Sequence, residues 1–163
     1  MTPPDRVFHQ TLENLAELCF KKKIKLIHIS TDYVFDGNKL DSYVESDETN
    51  PLNNYGLTKL RGEKKIQKFN LKKSIIIRTS WLYSKNNNNF VYKIINRISQ
   101  NKSFGVTDEE FGSPTYSNDL ASAILFIIPK LNNKKTKIYH FSNFGNCSRF
   151  EFAFEINKLL NKK

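Results

Sequence analysis

Between residues 7 and 21 apolar positions recur at helical spacing, and over 24–30 they give way to an alternating, β-branched run that stops at the hydroxyls of Ser30 and Thr31. A helix followed by a strand is predicted there. Asp36 and Gly37 then make a turn, and an irregular stretch runs to about residue 52. Pro51 and its neighbouring asparagines mark the entry of a helix over 53–69, with asparagine available as a cap. A strand over 74–79 follows. Phe90, Ile94, Ile95 and Ile98 form the inner stripe of a helix over 90–100, and a short strand is expected near 103–107. A turn at 112–115 leads to a helix over 118–128, with Ser117 as its cap and Pro129 as its terminator. A strand over 137–141 and a helix over 148–161 close the chain. Such alternation predicts an α/β fold.

A chain of 163 residues with 39% apolar and 13% aromatic content can bury one core, so a single domain is expected. No stretch reaches the roughly 20 apolar residues that cross a bilayer, and the start lacks the pattern of a signal peptide. Cytoplasmic localisation and no membrane partner are the expectation. Cys19 and Cys147 form no Cys-x-x-Cys and have no metal-ligand spacing with His9, His28 or His140, so they read as reduced thiols and no metal is expected. The formal charge of +10 raises the question of nucleic acid. Yet the lysines are scattered among asparagines, and the runs at 21–23 and 134–135 sit at element ends, as solvated faces do. No nucleic-acid recognition signature accompanies them, so no nucleic-acid partner is expected.

The candidate chemistry begins with Tyr55 and Lys59. Residues four apart share a helix face, so phenol and ammonium project side by side. A fixed cation beside a phenol stabilises the phenolate and prepares the group to donate a proton near neutral pH. By composition alone, about one Tyr-x-x-x-Lys pair is expected by chance, so its surroundings must carry the argument. Thr31, at the tip of the preceding strand, is placed to hold the oxygen that receives the proton. Other candidates have plainer readings. Trp81 reads equally as packing after a strand or as an indole face for a ligand ring. Asp32 and Asp36 suit turns that bond their own backbone. His28 and His140 read as strand residues, and Arg78 as a structural cation paired with an acid such as Glu63.

Residues 31–37 (Thr-Asp-Tyr-Val-Phe-Asp-Gly), 51–59 (Pro-Leu-Asn-Asn-Tyr-Gly-Leu-Thr-Lys) and 78–83 (Arg-Thr-Ser-Trp-Leu-Tyr) together resemble the extended short-chain dehydrogenase/reductases. Within them the chain is most similar to the dTDP-4-dehydrorhamnose reductase family. Residues 88–90, 108–121 and 139–148 follow the same family in order. The resemblance implies a partial Rossmann-like parallel sheet with flanking helices and a small C-terminal substrate-binding lobe. Residues 1–84 and parts of the C-terminal half would form the remnant of the dinucleotide-binding sheet, and about 85–115 and 142–163 the lobe. It further implies NADP or NAD as cofactor and reduction of the 4-keto group of a dTDP-sugar nucleotide. Thr31, Tyr55 and Lys59 would be catalytic, with Tyr55 and Lys59 also touching the cofactor. Asp32, Tyr33 and Trp81 would touch the substrate. Phe8 stands where the family usually has asparagine, and Glu110 where it commonly has glutamine.

The family also begins with a strand, a glycine-rich turn and a helix whose N-terminus receives the pyrophosphate. The six glycines here, at 37, 56, 62, 105, 112 and 145, make no such run. The expectation is a chain that lacks the phosphate cradle, binds the dinucleotide weakly on its own and is inactive alone. A sheet without its first strands would present an unpaired edge, so self-association or a second chain covering it is expected. The alternative function is that of a non-catalytic relative acting through a partner protein, like the regulatory subunit of methionine adenosyltransferase.

Overall fold

The computed structural model describes residues 4–86, 88–100 and 103–161. They form two compact units, one made of residues up to Thr79 together with Ile127–Phe141, the other of Ser80–Phe126 and Ser142 onward.

In the first unit, α1 (Pro4–Lys22) turns Leu12, Ala16 and Cys19 inward. They meet Ile66 of α2 (Asn54–Lys68), Leu71, and Ile76 of β2 (Ile75–Thr79). The helix ends as the Lys23 amide donates to the Phe20 carbonyl and the Ile24 amide to that of Cys19, with Lys23 at a φ of 55°. This is the left-handed stop usually given to glycine. The strand expected over 24–30 is β1, Ile27–Thr31. It starts late because the Leu26 amide donates to the Ser74 hydroxyl, at 2.8 Å, instead of to a ladder. Strands β1, β2 and β6 (Lys137–His140) form a parallel sheet with β2 in the middle, Ile29 opposite Ile77 and Ile77 opposite Tyr139. All five residues of β2 are buried, as a central strand requires.

In the second unit, α3 (Phe90–Ser99) packs against α5 (Arg149–Leu160). Ile94, Ala153 and Ile156 are buried there, with Phe90, Ile95 and Ile98 beside them, so the predicted stripe is the buried one. Asn89 caps α3 through the Tyr92 amide, and Ser148 and Glu151 close a capping box on α5. No strand forms at 103–107. Phe104 and Val106, partly buried, pack against the α3–α5 core, so their alternation reflects burial without ladder pairing. Two short sheets that periodicity could not show join β3 (Leu82–Tyr83) to β5 (Thr115–Tyr116) in parallel and β4 (Phe111–Gly112) to β7 (Cys147–Ser148) antiparallel. Two-residue strands carry too little pattern to read. Helix α4 (Ser117–Ile127) buries Leu120 and gives way to a 3-10 turn containing Pro129. No described helix is long and apolar enough to cross a membrane.

Candidate active site

The first unit brings Thr31, Tyr55 and Lys59 to the C-terminal end of β1. Thr31 ends the strand and caps the 3-10 turn Asp32–Val34, its hydroxyl accepting the Tyr33 amide at 3.2 Å and donating to Asp32 Oδ1 at 3.0 Å. Helix α2 then crosses that turn. Asn53 caps it, its side-chain oxygen accepting the Gly56 amide at 2.8 Å. A Cβ built on Gly56 would stand 2.0 Å from the Tyr33 carbonyl oxygen, so only glycine lets the helix lie this close. Tyr55 is thereby set edge-on to Tyr33, ring centroids 5.9 Å apart, while remaining 57% exposed to solvent.

One turn further along α2, Lys59 donates from Nζ to the Ile29 carbonyl at 2.7 Å, two residues before Thr31. Burial lowers its pKa below the ordinary lysine value, and the carboxylate of Glu63 opposes that shift. Glu63 is itself fully buried. It takes Arg78 from β2 in a forked pair, with Nη2 to Oε2 at 2.7 Å and Nε to Oε1 at 3.0 Å. Tyr55, Lys59 and Glu63 therefore follow one another at four-residue steps, the last bolting the helix to the sheet. Arg78, expected to be structural with an acid such as Glu63, has that partner.

Arg78 also packs 5.1 Å from the centre of the Phe35 ring and lies 3.5 Å from His140 Nε2. The Tyr43 carbonyl, 3.2 Å from Nδ1, can only accept, so the proton of His140 sits on Nδ1. The His140 amide donates to Glu45 at 2.8 Å, and Asp36 gathers the Asn38 amide, the Tyr43 hydroxyl and Asn50. Those donors hold the Asp36 carboxyl down at a pKa of about 2. Asp36 is a turn residue bonding its own backbone, as its position after β1 suggested. The clasp through Tyr43 and Asn50 had no local signal.

His28 has a buried Nε2 without a partner among the described residues. Burial first, and the Lys59 charge second, bring its pKa from 6.5 to about 4. The unfolded chain then takes up a proton near pH 6.5 that the folded chain refuses until about pH 4, so stability should fall as pH drops through that window. The ceiling is on the order of 3 kcal/mol. His28→Leu is expected to flatten urea midpoints between neutral pH and pH 5. Parallel declines in variant and parent would rule His28 out as the cause.

Trp81, with a φ of 44°, belongs to the second unit. Its indole lies so close to Gly112 that a Cβ there would meet it at 2.6 Å, and the Arg149 guanidinium sits 3.6 Å from the ring centre. Arg149 also pairs with Glu110 at 3.3 Å, which gives the carboxylate at that position a partner an amide would not match. Among the described residues no group of histidine, cysteine and acidic side chains is arranged to hold a metal.

A parallel sheet whose strand-end threonine faces a Tyr-x-x-x-Lys helix defines a Rossmann-like α/β protein of the short-chain dehydrogenase/reductase kind. The solved dTDP-4-dehydrorhamnose reductase of Bacillus anthracis, in complex with NADP, superposes with a TM-score of 0.84 at 39% identity, over 92% of this chain and 52% of that one. The chain belongs to the RmlD substrate binding domain family, whose model matches residues 5–163. It is 40% identical over 149 residues to the dTDP-4-dehydrorhamnose reductase of Aggregatibacter actinomycetemcomitans, covering 89% of this chain and 50% of that protein. It is 42% identical over 130 residues to the spore coat polysaccharide biosynthesis protein SpsK of Bacillus subtilis, covering 80% and 44%. The chain thus spans about half the length of the curated relatives it matches.

Proposed function

We propose that this chain is the catalytic and substrate-binding part of an NAD(P)H-dependent reductase that converts the 4-keto group of dTDP-4-dehydro-6-deoxy-L-mannose to the alcohol of dTDP-L-rhamnose. What supports this reading is Lys59 Nζ on the Ile29 carbonyl, two residues before Thr31, and the Tyr55 ring edge-on to that of Tyr33, in a chain 40% identical to such a reductase. The exposed Tyr55 and the ammonium of Lys59 fit the nicotinamide-ribose end of the cofactor. The pyrophosphate end has no glycine-rich match within these 163 residues. When bound, the nicotinamide supplies the hydride that reduces the sugar carbonyl.

The residues of the chain handle the proton and the developing charge. Tyr55 delivers its phenolic proton to the carbonyl oxygen as that oxygen becomes an alkoxide, and Lys59 stabilises the phenolate left behind. Thr31 is the second donor. Its hydroxyl hydrogen is committed to Asp32, so it must exchange that carboxylate for the sugar oxygen as substrate arrives. Asp32 and Tyr33, flanking that hydroxyl, are assigned to the sugar, and Trp81 to the substrate on the resemblance alone. A cytoplasmic site of action goes with this reading. So does a strand from outside these residues, or from a second copy, on the edge of β1, whose only strand partner among the described residues is β2.

The test joins this chain to the N-terminal half of the Bacillus anthracis reductase and follows NADPH absorbance with the keto-sugar nucleotide. The chimera is expected to turn over, and Tyr55→Phe to lower kcat by about 10²–10⁴-fold with the fold intact. A folded, NADPH-binding chimera without turnover would defeat the proposal.

A further inference from the structure

The entry ends of β1, β2 and β6 lie together, because the three strands run the same way in one sheet. Every turn that feeds them is rich in lysine. Lys21, Lys22, Lys23 and Lys25 precede β1, and Lys72 and Lys73 precede β2. Lys134 and Lys135 precede β6, and all of these side chains are exposed. Hydrogen bonds lock the three turns into one platform. Ser74 Oγ accepts the Leu26 amide at 2.8 Å, the Ser74 carbonyl accepts Asn133 Nδ2 at 2.9 Å, and the Asn133 carbonyl accepts the Lys73 amide at 2.9 Å.

Residues 18–26, 67–74 and 128–137 contain no aspartate, glutamate or arginine. From within α1, Glu17 reaches Lys21 at 2.6 Å and Glu13 reaches Lys68 at 3.4 Å. Asp32, Asp36, Asp41, Glu45, Asp47 and Glu48 all follow β1 at the strands' exit end, so the unit is polarised along its strands. Lys23 and Lys73 have φ values of 55° and 54°, a backbone conformation that glycine adopts with less strain. Two apolar side chains, Phe20 and Ile24, stand 58% and 53% exposed among the lysines.

We infer that this basic platform docks the protein peripherally on an anionic lipid bilayer, an inference that stands whether or not the reductase reading does. Lysines without arginine act as hydrated point charges suited to a diffuse sheet of negative headgroups, while planar, bidentate recognition of a nucleic acid favours arginine. Phe20 and Ile24 are placed to enter the headgroup boundary, as apolar residues do on membrane-surface segments. No spanning helix is needed.

The experiment sediments the full 163-residue chain with vesicles of phosphatidylcholine alone, or of phosphatidylcholine and phosphatidylglycerol, at about 0.15 M salt. Binding to the mixed vesicles and not to the neutral ones is expected. Replacing Lys22, Lys23, Lys72 and Lys73 with Gln should lower partitioning by on the order of a hundredfold, at roughly fivefold for each lysine less some non-additivity. The same change at Lys64, Lys85, Lys93 and Lys158 gives equal net charge and should cost less than about fivefold. Equal losses in the two variants would reduce the effect to net charge and overturn the platform. Binding to an RNA oligonucleotide without binding to the mixed vesicles would overturn the lipid assignment. Circular dichroism confirms that each variant is folded.

Discussion

Gly56→Ala is expected to destabilise the protein by about 2–3 kcal/mol, although alanine is the better helix former by about 1 kcal/mol. The added methyl would stand 2.0 Å from the Tyr33 carbonyl oxygen, with the carbonyl carbon at 2.8 Å and Pro51 Cβ at 3.1 Å, and two of those atoms are backbone. No rotamer change relieves such a contact. The start of α2 must lift from the turn after β1, carrying Tyr55 away from Tyr33 and Thr31. Urea unfolding measures the loss, and chemical shifts of the Tyr33 and Tyr55 rings report the displacement. A variant as stable as the parent, with unmoved ring signals, would show that the helix is not held at this approach.

Glu63→Gln is expected to cost about 3–5 kcal/mol, the largest loss among the single substitutions considered. It leaves the Arg78 guanidinium, 5% exposed, without the carboxylate that offsets its desolvation. Because Glu63 also raises the pKa of Lys59, the variant should push that ammonium's titration further down. Denaturant midpoints give the first effect, and carbon-13 shifts of Lys59 Cε against pH give the second. Joint replacement with Glu63→Leu and Arg78→Met should recover much of the stability, since the desolvated charges leave together. A loss below about 1 kcal/mol for Glu63→Gln would mean that water reaches the pair.

Much of this was legible in the sequence because local pattern and burial agree. The stripe of α3, the cap at Asn53 and the strand ending at Thr31 each follow from neighbours within a turn or two. The α/β class follows from the same alternation, the Rossmann-like sheet from the family resemblance, and the Bacillus anthracis structure matches both. What was not legible depends on residues distant in the chain. The critical space at Gly56 is set by a carbonyl twenty-three residues earlier, and nothing in Tyr-Gly-Leu-Thr-Lys announces it. Glu45 meets the His140 amide across 95 residues, and nothing beside His28 in the chain announces a buried Nε2 without a partner among the described residues. The expected strand at 103–107 failed for a related reason: alternation reports which side is buried, while a ladder requires a neighbour that periodicity cannot supply.

The third strand of the first sheet reaches the ribosome's exit long after the second. Residues 80–126, which belong to the other unit, are synthesised between β2 and β6. A nascent chain that has emerged only to residue 126 holds β2 with one flank bare and Arg78 without His140 beside it. Completion of the sheet must wait for β6, and the core between α3 and α5 waits longer still, because Ala153 and Ile156 emerge after that strand. Birth and maturation are therefore separated in both units, and the interval between them is when this protein most needs protection from sticking to its neighbours.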